Sequence, residues 1–264
     1  MKRILTMLLA MLLALGLAVP SLAEETTEAG RPTAVAHQAA APIVVDGALD
    51  EWDLSSPIVI KNPEQVIRDL SYWKGELDLS CTVYVMWDAT NLYLAVDVNE
   101  DTPFGAIEML PLDGEDNFKV YISTDPTADP DRQTYGTNDF LLYLIVDNSY
   151  WDSAFDRTMV EKDLLQRFTT RGMDGGEDVL VGYEKAAALT ATGFIYEAVI
   201  PWSNFSNARI PVYTPAVGDS VNFNFAITDI DYPCPGTEYI PQMAWSGDQS
   251  INFNPSTWGI LTFE

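Results

Sequence analysis

The sequence predicts an all-β protein in which two antiparallel sheets pack as a jelly-roll-like or immunoglobulin-like sandwich. Apolar residues alternate with polar ones at period two through most of the chain, which is typical of half-buried strands. Gly, Pro, Asn and Asp interrupt this pattern at short intervals, and no regular series of helical segments alternates with the strands. Many short strands without intervening helices favour two packed sheets over a parallel α/β fold.

Two adjacent strands are the clearest part of this pattern. Alternation runs from Cys81 to Trp87, a short turn follows at Asp88-Ala89-Thr90, and alternation resumes from Leu92 to Val98. We predict that these segments form a β-hairpin. Further strands are predicted at residues 118–123, 140–146, 179–183, 194–200, 221–228 and 258–263, and one short helix at residues 159–168.

The N-terminal residues have the pattern of an export signal. Lys2 and Arg3 precede an almost wholly apolar run over residues 4–19, and Ser21 and Ala23 offer small side chains near a cleavage site. This pattern predicts a signal peptide at residues 1–23 and a secreted, extracellular protein. A glutamate rather than a cysteine comes next, so we expect a soluble protein that is not held at the membrane after cleavage.

The remaining residues divide into a leader and one domain. Residues 24–41 are mainly Thr, Ala and Glu and show neither the helical nor the strand period, which predicts a flexible leader. Residues 42–264 contain no internal repeat and no second linker, and their length suits a single sandwich. We therefore predict one β-sandwich domain over residues 42–264.

The charge balance excludes one class of partner. The chain has 39 Asp and Glu against 14 Lys and Arg, a formal net charge of −25. Binding to nucleic acid depends on basic surfaces that neutralise phosphates, so we expect no nucleic-acid partner. The acidity has two open explanations, which are solubility by self-repulsion and a surplus of carboxylates for a hard cation such as Ca²⁺.

The two cysteines, Cys81 and Cys234, leave a disulfide open. An oxidising exterior would allow them to pair if their Cα atoms came within about 7 Å. Cys81 lies in a predicted strand and Cys234 in a turn-rich segment. Two unpaired thiols are the alternative.

The histidine content argues against most catalytic centres. His37 is the only histidine, and it falls in the predicted leader. We therefore expect no Ser-His-Asp or Cys-His arrangement, no His-based zinc site and no haem held by Met and His. A pair of carboxylates could still hydrolyse a glycoside, but with so many acidic residues such a pair would arise by chance. The prediction is a protein that is not an enzyme.

The order of several segments resembles one family. Residues 43–52, IVVDGALDEW, are similar to the opening of the family nine carbohydrate-binding modules, which are DOMON-like sandwiches of secreted bacterial proteins. Six later segments resemble family segments in the same order: WDATNLYLAVDVNEDTP from Trp87, EDNFKVYIS from Glu115, GFIYEAVIPW from Gly193, VNFNFAITDID from Val221, MAWSG from Met243 and STWGILTFE from Ser256.

This resemblance implies a sandwich that commonly holds structural calcium and, in some members, clamps a sugar chain end between two tryptophans. The sequence departs from the clamp at both positions. Residues 112–117 contain no aromatic side chain, and residues 251–255 offer Phe253 instead of a tryptophan. Lys119 stands where the family resemblance implies a carboxylate, and an expected arginine falls on Leu141 or Leu142.

Sugar binding nevertheless needs exposed aromatic rings, because pyranose faces carry C–H groups that stack on them. A structural calcium ion in a sandwich would take oxygen ligands from separate loops. The candidate sugar contacts are Trp151, Phe253, Tyr150, Phe104 and Trp245, with Trp73 as a further ring. The tryptophans predicted to pack in the fold are Trp52, Trp87, Trp202 and Trp258. The candidate calcium ligands are Asp101 and Asp116.

The resulting hypothesis is a secreted, non-catalytic protein that binds plant-type or other polysaccharide, with structural calcium and no haem. We expect a monomer. The alternative is an extracellular scaffold domain that keeps the sandwich and binds a protein partner without binding sugar.

Overall fold

The computed structural model describes residues 30–101, 116–145, 166–170, 177–178, 180–206, 210–230 and 240–264. Strands dominate these ranges, and the helical turns within them are short 3-10 turns. The strands are β1 (Thr33–Gln38), β2 (Ile58–Ile60), β3 (Val66–Arg68), β4 (Leu79–Trp87), β5 (Asn91–Glu100), β6 (Asn117–Ser123), β7 (Asp139–Ile145), β8 (Gln166–Thr170), β9 (Glu177–Asp178), β10 (Glu184–Leu189), β11 (Gly193–Pro201), β12 (Ser220–Thr228), β13 (Gln242–Ala244) and β14 (Gly259–Phe263).

The strands form two sheets that β1 joins along one edge. The first sheet has the order β10-β11-β5-β4, with β2 also paired to β4. The second has the order β14-β12-β6-β7-β8-β9, with β13 paired to β12 and β3 paired to β13. Within the described residues every pairing is antiparallel except the two made by β1, which runs parallel to both β14 and β4.

The two sheets pack face to face through one apolar core. Val96 from the first sheet and Val120 and Phe225 from the second are all buried in it. The ring centroid of Phe118 on β6 lies 5.2 Å from that of Tyr196 on β11, so side chains of opposite sheets are in contact. The predicted sandwich is confirmed, with β1 as a parallel exception.

Most predicted strands are present with small shifts. The hairpin is confirmed as β4 and β5, and Asp88 in its turn accepts hydrogen bonds from the backbone N–H groups of Thr90 and Asn91. The strands predicted at residues 118–123, 140–146, 194–200, 221–228 and 258–263 are β6, β7, β11, β12 and β14, each within one residue of its predicted bounds. The tryptophans predicted to pack in the fold are buried: Trp52, Trp87, Trp202 and Trp258.

The prediction of a flexible leader over residues 24–41 is wrong for the part that forms β1. This strand runs beside β14 as far as Ala36, which is fully buried, and then beside β4 at His37 and Gln38. Its alternation is short and its apolar residues are small, so the local pattern is weak, and the strand is specified by the two partners that it bridges. The ordered domain therefore begins before residue 42, and His37 is part of it.

Two other local predictions are wrong for similar reasons. Residues 166–168, predicted as the end of a helix, belong to β8 and pair with β7, while residues 159–165 lie outside the described ranges. Residues 180–183, predicted as strand, form no strand. There the side chain of Asn204 accepts from the N–H of Val181 at 2.8 Å and donates to its carbonyl at 3.1 Å, so a side chain takes the place of a neighbouring strand.

The thiol of Cys81 is free and buried on β4, and this burial raises its pKa. Cys234 lies outside the described ranges, as does the predicted signal peptide. In the part of the chain that the structure describes, no helix has the length and apolar character to cross a membrane.

A buried carboxylate holds the segment around Asp46 and Gly47 against the first sheet. Glu197 on β11 is 0% exposed, and its Oε2 accepts hydrogen bonds from the N–H groups of Asp46 at 3.0 Å and Gly47 at 2.5 Å. Its Oε1 accepts from Nε1 of Trp52 at 2.6 Å. A Cβ on Gly47 would lie 2.7 Å from the Cβ of Ala188 on β10, so only glycine fits this close approach.

This segment covers the outer face of the first sheet. Ile43 and Trp52 are buried in a second apolar cluster with Met86, Tyr93 and Ala95, which point outward from β4 and β5. The cluster buries apolar surface that would otherwise face water. The hydrogen bonds of Glu197 therefore fix the covering segment in place over this face.

We predict that Glu197→Gln lowers the free energy of unfolding by about 3 kcal/mol, because the amide cannot accept all three hydrogen bonds and places a donor against a donor. Chemical denaturation monitored by circular dichroism measures the change. Glu184→Gln, on the exposed edge of β10, is the matched control and should change stability by less than about 0.5 kcal/mol. Equal stabilities for the two variants would contradict this role of Glu197.

Candidate functional site

The outer face of the second sheet carries polar and aromatic side chains at matching registers. On β6, Lys119 and Tyr121 alternate with core residues and so point away from the core. Lys119 pairs with Tyr143 on β7 and with Ala226 on β12. Tyr121 pairs with Asn224 on β12. One ammonium group, two phenol rings and an amide therefore occupy neighbouring positions of this face.

Lys119 is a buried cation on this face, with 3% of its surface exposed. Its Nζ lies 5.2 Å from the centroid of the Tyr143 ring, which is a cation–π contact. The family resemblance implies a carboxylate here, so the structure places a hydrogen-bond donor where an acceptor was expected.

The segment from Asp248 to Trp258 packs against this face. It contains two short 3-10 turns, Gln249–Asn252 and Pro255–Thr257. The side chain of Asp248 caps the first turn and the side chain of Asn254 caps the second, each by accepting a hydrogen bond from a backbone N–H inside its turn. Two capped turns in succession give this loop a defined backbone path.

Three contacts anchor the loop and leave one ring outside. Trp258, which is fully buried, donates from Nε1 to the carbonyl of Ile251 at 2.9 Å. Its ring centroid lies 5.4 Å from that of Tyr121, and the Tyr121 hydroxyl donates to Oδ1 of Asn252 at 2.9 Å. Phe253 follows directly and is 57% exposed. Its ring is therefore presented to solvent by a loop that is tied to the sheet.

Asp248 is held in its ionised form. Hydrogen bonds from the side chain of Ser250, and then from its backbone, lower the pKa of Asp248. A charged acceptor makes a stronger cap than a neutral one. The turn that leads to Phe253 therefore keeps its cap at neutral pH.

Two of the predicted sugar contacts differ in their exposure to solvent. Phe253 is exposed, as a contact with a ligand requires. Trp245 is 4% exposed, its ring packs on Phe223, and a Cβ on Gly259 would lie 2.3 Å from its Cζ3. The prediction of Trp245 as a sugar contact is therefore wrong, because the last strand packs directly on its ring. The other candidates lie outside the described ranges: Phe104, Tyr150 and Trp151.

The two predicted calcium ligands flank strands of different sheets. Asp101 follows β5 of the first sheet, and Asp116 precedes β6 of the second. Asp116 is buried and accepts a hydrogen bond from the N–H of Ile230 at 2.7 Å. Across the described ranges, no three His, Cys, Asp or Glu side chains come together as a metal-ion site. The role of these two residues stays a prediction.

Sequence reasoning did not single out Tyr121 or Asn252, which tie the Phe253 loop to the sheet. The alternation of side chains along β6 places Tyr121 on the same face of the sheet as Lys119, and this alternation can be seen in the sequence. The contact with Asn252 depends on two 3-10 turns that have no periodic signal. The strand register also brings Asp229 near Asp116, because Asn117 on β6 pairs with Thr228 on β12.

Comparison with known proteins places the chain in a family. A family model described as carbohydrate family 9 binding domain-like matches residues 45–264. The chain belongs to this family. Family 9 domains bind carbohydrate, and the predicted resemblance is confirmed.

Solved family 9 structures share the fold. A family 9 carbohydrate-binding module from Caldicellulosiruptor kristjanssonii, solved in complex with cellotriose, aligns with a TM-score of 0.55 at 16% identity, covering 88% of this chain and 93% of that one. The module from the same organism in complex with glucose aligns with a TM-score of 0.52 at 15% identity, covering 87% and 95%. At these identities the likeness supports the sandwich fold.

Two curated relatives are much longer than this chain. Endo-1,4-beta-xylanase A of Thermoanaerobacterium saccharolyticum is 25% identical over 189 residues, which are 71% of this chain and 12% of that protein. Exoglucanase XynX of Acetivibrio thermocellus is 24% identical over 201 residues, which are 76% and 14%. This chain therefore matches only a small part of the length of each relative.

Proposed function

We propose that this family 9 chain is a secreted, non-catalytic protein that binds polysaccharide, with Phe253 as a stacking surface. The exposure of Phe253 beside anchored polar groups is the observation that supports this proposal most strongly. Phe253 also lies just before the final strand, where the family resemblance implies a clamp tryptophan. Solved members of the family have been described with cellotriose and with glucose.

The chemistry around Phe253 suits a sugar. A pyranose face can stack on the exposed ring while neighbouring amides satisfy its hydroxyl groups. Asn252 is one such amide, and its carbonyl oxygen is already oriented by the hydroxyl of Tyr121. Because the loop is fixed before a ligand arrives, little ordering free energy is lost on binding.

The missing tryptophan clamp favours a binding mode with one ring. Residues 112–117 contain no aromatic side chain, so a second ring would have to come from another loop. Tyr150, Trp151 and Phe104 are the candidates for that ring. We propose Trp151 as the first of these to test.

A calcium ion, if bound, would be held at one end of the second sheet. Asp116, Asn117 and Asp229 are buried oxygen-bearing side chains at adjoining positions of β6 and β12. Carboxylate and amide oxygens are the ligands that Ca²⁺ prefers, and one ion would offset part of the negative charge of the chain. We propose Asp116 as a ligand there, with Asp101 contributing from the end of β5.

We predict that Phe253→Ala weakens oligosaccharide binding about 10-fold or more, equivalent to roughly 1.4 kcal/mol, because the stacking surface is lost. Isothermal titration calorimetry with xylo-, cello- and manno-oligosaccharides measures the affinities of wild type, Phe253→Ala and Trp151→Ala. Val217→Ala, which removes another exposed apolar side chain, is the control and should bind as wild type does. If the wild-type protein binds no sugar in the panel, the proposal is contradicted and the scaffold alternative is favoured.

We predict that EDTA lowers the melting temperature of the protein, because an ion bound only by the folded state stabilises it. Differential scanning calorimetry with and without added CaCl₂ measures the shift. In Asp116→Asn the difference between the two conditions should shrink, whereas in Asp129→Asn, on an exposed turn, it should persist. Identical melting temperatures for wild type in EDTA and in CaCl₂ would rule the calcium site out.

A further inference from the structure

An open cleft of about 560 Å³ is formed by the residues that follow β1 and by the segment that covers the first sheet. Its volume is within the range of about 300–1,000 Å³ that is typical of ligand-binding clefts. Gln38 at the end of β1 lines one part of the cleft, and Met86 on β4 lines another. Phe253 packs on the second sheet, so this cleft is separate from the proposed sugar contact.

One wall of the cleft is apolar and fixed in place. Ile43, Trp52 and Met86 line it, and all three are packed in the cluster that covers the first sheet. The N–H of Asp53 donates to Sδ of Met86 at 3.3 Å, which ties the covering segment to β4 at this point. Leu54, which also lines the cleft, is 44% exposed. An apolar group can therefore contact this wall without rearranging it.

The cleft also carries negative charge that local cations do not neutralise. Glu51 and Asp53 line it, and residues 32–60 contain four carboxylates and neither lysine nor arginine. Nδ1 of His37 lies 4.0 Å from Oδ2 of Asp53, whereas Glu51 forms no ion pair with any residue that the structure describes. An apolar wall beside two carboxylates is complementary to a ligand that joins an apolar body to a positive charge.

The backbone beside the cleft is open to a further partner. The N–H of Ala39 donates to the carbonyl of Trp87, and there the pairing with β4 ends. The N–H groups of the cleft residues Ala40, Ala41 and Ile43 form no hydrogen bond with the residues in the described ranges. Main-chain donors at the edge of a cleft suit a peptide, which brings carbonyl groups of its own, better than a free amine.

We propose that this cleft binds an extended segment of a partner protein in which a lysine or arginine stands next to an apolar residue. The aliphatic stem of the basic side chain lies along the wall of Ile43 and Trp52, and its charged end meets Glu51 and Asp53. The adjoining apolar side chain contacts Leu54, and the peptide backbone accepts hydrogen bonds from residues 40–43. The strong negative charge of the whole chain speeds the encounter with a basic partner. This interaction goes beyond polysaccharide binding and does not rest on it.

Fluorescence anisotropy of a labelled peptide tests the chemistry of the ligand. The full chain is titrated into a fluorescein-labelled hexapeptide in which leucine and lysine alternate. We expect saturable binding that is abolished when glutamate replaces lysine and is about 10-fold weaker when serine replaces leucine. Unlabelled n-hexylamine, which has the stem and charge of lysine without the peptide backbone, should compete poorly. Absence of binding, binding that is indifferent to either replacement, or competition by n-hexylamine equal to that of unlabelled peptide overturns the proposal.

Matched charge variants test the place of binding. We expect Glu51→Gln combined with Asp53→Asn to weaken peptide binding about 10-fold or more, because both carboxylates of the cleft are lost. Glu64→Gln combined with Asp129→Asn removes the same charge from exposed turns elsewhere and should change the affinity by less than about 2-fold.

Leu54→Ala keeps every charge and should still weaken binding, because it removes an apolar contact. Melting temperatures are recorded for each protein, and if the cleft double variant does not fold, Glu51→Gln alone and Leu54→Ala take its place. Equal losses in the cleft and control variants would show attraction by net charge alone and overturn the proposal. Unchanged affinity in the folded cleft variants would overturn it as well.

Discussion

The strand β1 is the constraint on which the architecture depends, because among the strands that the structure describes it alone pairs with both sheets. Its first residues pair with β14 and its last residues with β4, so one short segment closes the edge between the two layers. Trp87 strengthens this junction by donating from Nε1 to the carbonyl oxygens of Ala36 and Glu264, at 3.0 and 3.2 Å. The same strand places His37 beside Ser55, Ser56 and Asp53. A single element thus sets the sheet junction and the position of the only histidine.

The fold class could be predicted from the sequence because the signal is repeated. Phe223, Phe225 and Ile227 on β12 enter the core while the residues between them do not, and the same parity recurs on β4, β5 and β6. Short or weakly apolar strands such as β1 and β10 lack that signal and are specified by their neighbours. The bend at residues 180–183 escaped prediction because it depends on Asn204, more than 20 residues away in the chain.

The sites were less predictable than the fold, since they depend on contacts between distant segments. The two large aromatic residues Phe253 and Trp245 differ in exposure, because Gly259 lets the last strand pack on the Trp245 ring. The weak pattern of residues 24–41 predicts a leader and so places His37 outside the domain. The structure instead places it in β1, where its Nε2 lies 2.9 Å from Oγ of Ser56, a contact that no local pattern indicates. Family membership supports a binding module.

The stability of chains that begin on either side of β1 tests its role most directly. A chain starting at Arg31 keeps the strand, and a chain starting at Ala39 lacks it; chemical denaturation of both measures their free energies of unfolding. We predict that the shorter chain is less stable by about 3 kcal/mol or more, or fails to fold, because it loses the backbone hydrogen bonds to β14 and β4 and leaves both sheet edges open. Equal unfolding free energies for the two chains would contradict the view that β1 joins the sheets.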